Sequence, residues 1–147
     1  MEIYIGADHN GFHLRRALIA HLKRLSYMVV DDGDNKLNPN DDFPVFTAKV
    51  VKDVLGSEDK DARGILICGS GQGMCMAANR YKGIRAALGY DREAARISRN
   101  DDDSNVLCLP ADVLEKDEAY TIVETWLKTA FAGAPRFIRR LKEIDEL

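Results

Sequence analysis

The feature that most constrains this sequence is an uninterrupted apolar run that ends in a glycine-rich turn. The run covers residues 64–68 (GILIC), and the turn covers residues 69–73 (GSGQG). A strand with no polar position has both faces covered, as in the centre of a parallel sheet with helices on either side. The chain is therefore predicted to build a parallel sheet around this segment, with the turn at its carboxyl end.

Strand and helix patterns alternate along the rest of the chain. The helix that begins at Pro44 is expected to be capped by Asp41 or Asp42. This order is typical of an α/β fold, in which one domain over residues 1–147 has a parallel sheet with helices on both faces. The patterns predict strands at residues 3–7, 27–30, 64–68, 84–88 and 105–109, and helices at residues 11–26, 44–56, 74–80, 91–99, 115–130 and 135–146.

Length and composition exclude several classes of protein. The chain has 147 residues, enough for one domain with a buried core, and a formal net charge of -3. That charge argues against a general electrostatic grip on nucleic acid or on an anionic membrane surface. No apolar run approaches the roughly 20 residues that a membrane helix needs, and the N-terminus lacks the pattern of a secretory signal. The 3 cysteines, an odd number in apolar surroundings, are expected in a reduced, cytoplasmic protein.

The residues that follow each strand are the candidate site, because ligands of a parallel α/β sheet bind outside the carboxyl ends of its strands. After the third strand, Gly69, Gly71 and Gly73 allow the backbone to bend tightly and to approach a ligand closely. The N–H groups of this turn and of the next helix would favour a phosphate or an oxyanion. The same field would favour the thiolate form of Cys68, which could act as a base or a nucleophile.

Two other interpretations of the glycine-rich turn stay open at this point. The turn could bind a dinucleotide, although Met74 stands where that motif needs a glycine and the turn follows the third strand rather than the first. Cys68 could also be a packing residue, as buried free cysteines often are. Cys75 and Cys108 are interpreted as packing residues, one in a helix and one in a strand.

Asp8 and His9 follow the first strand and are the next candidates. His9 could bind a phosphate or relay a proton, since imidazole titrates near neutral pH. It could also be an exposed loop residue beside a helix cap formed by Asp8 or Asn10. His13 stands four positions after His9, as in a zinc pair, but no third ligand is evident, so no metal site is predicted.

Two charged clusters near the C-terminus allow a functional and a structural interpretation. Arg136 and Arg140 stand four residues apart on one face of the last helix, which suits a phosphate dianion or a solvated basic surface. Residues 101–103 are three consecutive aspartates, which could bind a divalent cation or lie in a solvated loop.

Taken in order, these segments resemble the ribose-5-phosphate isomerase B family, which includes the galactose-6-phosphate isomerase subunits. The resemblance covers nearly the whole chain. It implies a Rossmann-like, three-layer domain with a five-stranded parallel sheet, no cofactor, and a homodimer that could pair into a tetramer. The segments that carry it are GADHNGF at residues 6–12, GILICGSGQGM at 64–74, AANR at 77–80, GIRAA at 83–87, SNVL at 104–107, and the pair Arg136 and Arg140.

The resemblance also implies a reaction and a base. The default reaction is the aldose–ketose isomerisation of ribose 5-phosphate to ribulose 5-phosphate through a cis-enediolate. One subfamily has a cysteine as the base at the position of Cys68. The other has a glutamate just past the turn, where this chain has Met74 or Cys75. The cysteine type is therefore expected.

Roles for the other candidates follow from the same resemblance. The N–H groups of residues 69–73 and the Ser70 hydroxyl would stabilise the enediolate. Asp8 would bind sugar hydroxyls or the ring oxygen. His9, Arg136 and Arg140 would hold the phosphate.

The sequence departs from the family at three positions. The family usually has a His-Asn pair, whose histidine is assigned to ring opening, where this chain has Asp101 and Asp102, and an arginine where it has Asp112. In the family these positions reach the neighbouring subunit's pocket, so the departures are expected in the partner's half of the site. Asp101 could relay the ring-opening proton, with Asp102 beside it against the substrate, while the added carboxylates would weaken binding of a phosphate dianion.

The departures leave other functions open. The chain could run the same chemistry on a different aldose phosphate, or it could bind a sugar phosphate without turning it over. A small nucleotide-binding module is a further alternative, in which Cys68 would have no role.

Overall fold

A computed structural model describes residues 1–147 and confirms the predicted α/β fold, with five parallel strands and six α-helices. Each predicted element is present, with its ends within two residues of the predicted ones. A short 3-10 turn, His9–Gly11, precedes the first helix. The elements are β1 (Glu2–Ala7), α1 (Phe12–Arg24), β2 (Met28–Asp31), α2 (Phe43–Gly56), β3 (Arg63–Cys68), α3 (Gln72–Ala78), β4 (Ala86–Leu88), α4 (Arg92–Asn100), β5 (Val106–Pro110), α5 (Lys116–Lys128) and α6 (Pro135–Asp145).

The order of the strands places the candidate residues next to one another. The sheet runs β2-β1-β3-β5-β4, and every pair of neighbours is parallel. After β1 the chain continues to the edge strand β2, and after β3 it continues to the opposite edge strand β4. A crevice therefore opens between the loops that follow β1 and β3. Residues 8–11 and residues 69–73 flank this crevice.

Two apolar layers enclose the sheet. One layer is built from α1, α4 and α5, whose buried side chains include Leu18, Ala95 and Trp126. The other is built from α2 and α3, with Val50 and Met74 among its buried side chains. All six residues of β3 are buried, as expected for a central strand with a helix layer on each face.

The turn after β1 packs directly on the end of β3. The N–H group of Asp8 donates a hydrogen bond to the carbonyl oxygen of Ile67 at 3.2 Å. A methyl group on Gly11 would lie 2.5 Å from that same oxygen, so only glycine allows this approach. The first polar residues after β1 are therefore fixed beside the residues that end β3.

The last helix, α6, packs against the rest of the chain through a single buried side chain. Of its residues, Phe137 alone is buried. Arg136 and Arg140 are both exposed. No helix of the structure has the length and apolar character that crossing a membrane requires.

Ser104→Ala is expected to lower the free energy of unfolding by about 1–3 kcal/mol, because it removes the hydrogen-bond acceptor of a fully buried indole. The indole N–H of Trp126 donates to the Ser104 hydroxyl at 2.8 Å, and both residues are buried. Urea unfolding measures the loss. The same substitution in a Trp126→Phe background serves as the control and should cost less; an equal cost in both backgrounds would contradict this account.

Candidate active site

Asp8 is positioned by the backbone that follows it. Its Oδ1 accepts hydrogen bonds from the N–H groups of Asn10 at 3.0 Å and Gly11 at 3.3 Å, so the carboxylate caps the turn. Its other oxygen, Oδ2, accepts no hydrogen bond within the chain. Burial raises the pKa of this carboxyl, while the N–H group of Gly11 acts in the opposite direction. The capping interpretation is therefore correct, and one oxygen is left for a ligand.

His9 is hydrogen-bonded by Asp41, which the sequence predicted as a possible cap of α2. Its Nδ1 lies 2.6 Å from Oδ1 of Asp41, and its backbone N–H donates to the same oxygen at 3.0 Å. The hydrogen bond to Asp41 raises the pKa of His9, and the charges of Asp8, Asp41 and Asp112 add to this effect. The N-cap of helix α2 is instead Asp42, although its side chain makes no capping hydrogen bond. Of the two caps predicted for α2, Asp41 is wrong.

The glycine-rich turn has the geometry of an anion cradle. Cys68 ends β3 with only 4% of its surface exposed. Gly71 has φ 74°, in the left-handed region that favours glycine, and a methyl group there would lie 2.6 Å from Leu88. The N–H groups of Ser70, Gly71 and Gly73 donate no hydrogen bond within the chain and are thus free for a ligand.

The two ends of the turn differ in what covers them. The Ser70 hydroxyl is exposed and accepts a hydrogen bond from the N–H of Gln72 at 3.3 Å. At the other end, the ring of Phe43 covers Gly73, where a methyl group would lie 2.8 Å from its Cζ. Phe43 therefore forms one wall of the crevice.

Asp112 lies in the same half of the site as Cys68. A methyl group on Gly69 would lie 2.5 Å from Oδ2 of Asp112, and the N–H of Asp112 donates to the Gly69 carbonyl oxygen at 3.0 Å. Within one chain, the register of β3 and β5 pairs Cys68 with Pro110 and so brings the residues that follow the two strands together. That Asp112 reaches the partner's half of the site stays a prediction.

The other two thiols pack behind the site. Cys75 lies in α3, and its Sγ donates to the carbonyl oxygen of Ala86 at 3.4 Å. Cys108 is fully buried in β5. A hydrogen bond with Cys75, together with burial, raises the pKa of Cys108 well above its usual range. Both thiols agree with the prediction that they are packing residues.

A second group of candidates lies in the C-terminal part of the chain. Asp101 accepts a hydrogen bond from the Asn100 side chain at 2.7 Å. Burial and the charge of Asp101 raise the pKa of Asp102, while the charge of Arg140 lowers it. Asp103 is used differently, since it forms ion pairs with Arg85 and Arg99 at 2.8 Å each.

The three consecutive aspartates therefore do not act as one unit. Asp103 is neutralised within the fold, and only Asp101 and Asp102 remain for a ligand. No group of three or more His, Cys, Asp or Glu side chains in the chain has the arrangement of a metal site.

The predicted site residues thus fall into two groups that the single chain does not join. We call the group around Cys68 and His9 the crevice group, which also contains Asp8, Asp112 and residues 69–73. The outer group is Asp101, Asp102, Arg136 and Arg140. No hydrogen bond or ion pair links the two groups, and the Arg136 guanidinium instead lies over the ring of Phe137 at 4.8 Å. Within one chain, the expected meeting of both arginines with His9 does not occur.

Sequence reasoning did not assign to the site three residues that contact the crevice group. Asp41 and Phe43 come from the segment before α2, and Asn10 points its side chain at Gly69, where a methyl group would lie 3.2 Å from its Nδ2. No local pattern marks Asp41 as a histidine partner, because 32 residues separate it from His9. The position of Asn10 between two glycines of the GADHNGF segment was the one available signal.

Comparisons with known proteins agree with the fold. The family model described as Ribose/Galactose Isomerase matches residues 3–144. A probable ribose-5-phosphate isomerase B from Mycoplasma genitalium is 43% identical, over 97% of this chain and 93% of that protein. The ribose-5-phosphate isomerase B of Escherichia coli is 36% identical, over 99% of this chain and 95% of its own length.

Solved structures give the same result. The crystal structure of ribose-5-phosphate isomerase B from Mycoplasma genitalium with bound ribulose-5-phosphate superposes with a TM-score of 0.94 at 41% identity, covering 99% of this chain and 94% of that chain. The enzyme from Clostridium thermocellum superposes with a TM-score of 0.93 at 42% identity, covering 99% and 96%. Because the family model and these relatives match nearly the whole length, the chain belongs to the ribose/galactose isomerase family.

Proposed function

We propose that the chain catalyses the isomerisation of ribose 5-phosphate to ribulose 5-phosphate without a cofactor. The observation that carries this proposal is the position of Cys68 at the end of the central strand, beside three unpaired backbone N–H groups. A base next to an anion cradle is what an enediolate intermediate requires. The relatives named ribose-5-phosphate isomerase B, one of them solved with ribulose-5-phosphate, support this choice of substrate.

The reaction then needs one proton transfer at carbon and one at oxygen. The Cys68 thiolate takes the proton from C2 of the open-chain aldose and returns it to C1. The hydroxyl proton moves from O2 to O1, so that the C1 carbonyl becomes a hydroxyl and the C2 hydroxyl becomes a carbonyl. The charge that develops on the oxygens lies against the N–H groups of residues 69–73, and the exposed Ser70 hydroxyl can donate to the same atoms.

A homodimer would complete the site. In one chain the crevice group has carboxylates and His9, whereas the two arginines lie in the outer group on a helix that buries only Phe137. We propose that α6 of each chain reaches its partner, so that Arg136 and Arg140 of one chain hold the phosphate bound in the crevice of the other. Remote phosphate binding then fixes C1 and C2 against Cys68.

The same assembly would bring the outer carboxyl pair to the substrate. The chain's 3 histidines all precede residue 22, so none can take the ring-opening role at the position of Asp101. Partial desolvation and the neighbouring Asp101 raise the pKa of Asp102, which favours it as a proton donor, while Arg140 acts in the opposite direction. We propose that Asp101 and Asp102 together serve ring opening, with Asp102 as the group that donates the proton.

A second candidate function is the same isomerisation on a different aldose phosphate. It is favoured by Asp112, whose carboxylate contacts Gly69 inside the crevice group and would repel a phosphate dianion bound there. A substrate that presents hydroxyl or amino groups to Asp112 would avoid this repulsion. A higher kcat/KM for another aldose phosphate than for ribose 5-phosphate would support this candidate.

Cys68→Ala is expected to lower kcat for ribose 5-phosphate by at least about a hundredfold, since a positioned general base contributes roughly 10²–10⁴-fold. Formation of ribulose 5-phosphate measures the change. Cys75→Ala is the matched control, because it removes a thiol that packs in α3 outside the site. Turnover by Cys68→Ala equal to that of the control would exclude Cys68 as the base.

Asp102→Asn is expected to slow turnover of ribose 5-phosphate and to change its pH dependence. A carboxylic acid with a raised pKa donates its proton below that pKa, so the wild-type rate should fall as the pH rises through it. The variant should lack this fall. Asp34→Asn, which changes an exposed carboxylate outside the site, is the control; an unchanged pH profile in Asp102→Asn would contradict the role in ring opening.

If each active site contains residues from both subunits, two inactive variants are expected to complement each other. Cys68→Ala and Arg140→Ala should each be nearly inactive, yet equal amounts refolded together should recover about a quarter of wild-type activity. Half of the dimers would be mixed, and each mixed dimer would have one intact site of its two. Activity that stays at the level of the separate variants would show that the arginines and the thiol act within one chain.

A further inference from the structure

His9 is the only cation of the crevice group, and the charges around it are all negative. Asp8 lies at the end of β1, Asp41 in the loop before α2 and Asp112 after β5, and each of these carboxylates acts on the imidazole. The other two histidines are engaged elsewhere: His13 is exposed beside the ring of Phe12, and His21 contacts Glu124 at 2.8 Å. The positive charge in this half of the site therefore depends on the protonation of His9.

Asp41 differs from the other two carboxylates in that it bonds the imidazole directly. The distance of 2.6 Å between its Oδ1 and Nδ1 of His9 is that of a strong, charge-assisted hydrogen bond. The same oxygen also accepts the backbone N–H of His9, so ring and backbone are held together. Asp41 has 9% of its side chain exposed and His9 has 32%, so the pair is anchored on the carboxylate side and open on the imidazole side.

The hydrogen bond also sets the direction of the ring. Because Nδ1 is occupied by Asp41, the opposite nitrogen, Nε2, points away from the loop and makes no hydrogen bond within the chain. It is the one imidazole donor left for a ligand. A second-shell carboxylate that fixes one ring nitrogen and leaves the other to the ligand is a general way to orient a histidine.

We propose that Asp41 is a positioning residue that keeps His9 charged and turns its Nε2–H toward the crevice, so that binding of the substrate's phosphate depends on Asp41. This inference rests on the proposed function for its substrate. It adds that Asp41 compensates for the carboxylate at position 112: the chain has Asp112 in the crevice group, and a protonated His9 offsets part of that negative charge. Asp41 itself need not contact the substrate.

The test compares Asp41→Asn with Asp42→Asn. Both remove one carboxylate from adjacent positions, but the Asp42 side chain is exposed and makes no capping hydrogen bond. Asparagine at position 41 keeps an oxygen that can accept the His9 N–H, so the local backbone is preserved. NMR titration of the His9 ring then gives its pKa, and titration with inorganic phosphate gives an affinity that does not require turnover.

In Asp41→Asn the pKa of His9 should fall below its wild-type value, and in Asp42→Asn it should not. The loss of phosphate binding with increasing pH should therefore begin at a lower pH in Asp41→Asn, with a decrease in affinity of at least about tenfold above the new pKa. With ribose 5-phosphate, KM should rise in the same pH range, while kcat at saturation changes much less.

Two results would overturn the inference. One is a His9 pKa that is the same in Asp41→Asn, Asp42→Asn and the wild type. The other is a phosphate affinity that Asp41→Asn lowers further in a His9→Gln background, since Asp41 would then act without His9. Failure of the proposed function is distinguishable, because a chain that does not turn over ribose 5-phosphate still gives the His9 pKa and the phosphate affinity.

Discussion

The geometry of the site depends on the contact between the turn after β1 and the last residues of β3. Gly11 approaches the Ile67 carbonyl oxygen so closely that any side chain would collide with it. The N–H of Asp8 donates a hydrogen bond to that same oxygen. Because Cys68 follows Ile67 directly, this one contact fixes the distance between the histidine end of the crevice and the thiol. The carboxylate of Asp8 then holds the turn after β1 closed through its hydrogen bonds with the N–H groups of Asn10 and Gly11.

The distribution of charge follows from the order of the strands. Parallel strands deliver the ends of β1, β3 and β5 to one edge, and in this chain Asp8 and Asp112 arrive there with His9. Arginines that could balance a phosphate lie on α6, outside this edge. A single chain therefore has a candidate base and an anion cradle but little positive charge for a phosphate dianion. In the proposed homodimer, the partner's α6 would supply that charge, and the exposed position of this helix is compatible with such a contact.

Much of the fold was predictable from the sequence because its signals are local. The apolar run at β3 and the helical spacing of Leu14, Leu18 and Leu22 identify elements without reference to the rest of the chain. Residue pairs that meet only in the folded chain were not predictable in this way. Asp41 has the features of a helix cap, and only the packed loop shows that its carboxylate bonds His9. Likewise, the contact of Asp112 with Gly69 depends on the register of β3 and β5, which no local pattern shows.

The carboxylates of the two groups differ in what surrounds them, and a carboxyl group becomes a better proton donor where its pKa is raised. At Asp102, partial desolvation and the neighbouring Asp101 raise the pKa. Asp112 lies beside Gly69, and the nearby imidazole of His9, which is hydrogen-bonded to Asp41, carries a positive charge when it is protonated. Residues of one type can therefore differ in chemical behaviour within one site, because their hydrogen bonds, their burial and their neighbouring charges differ.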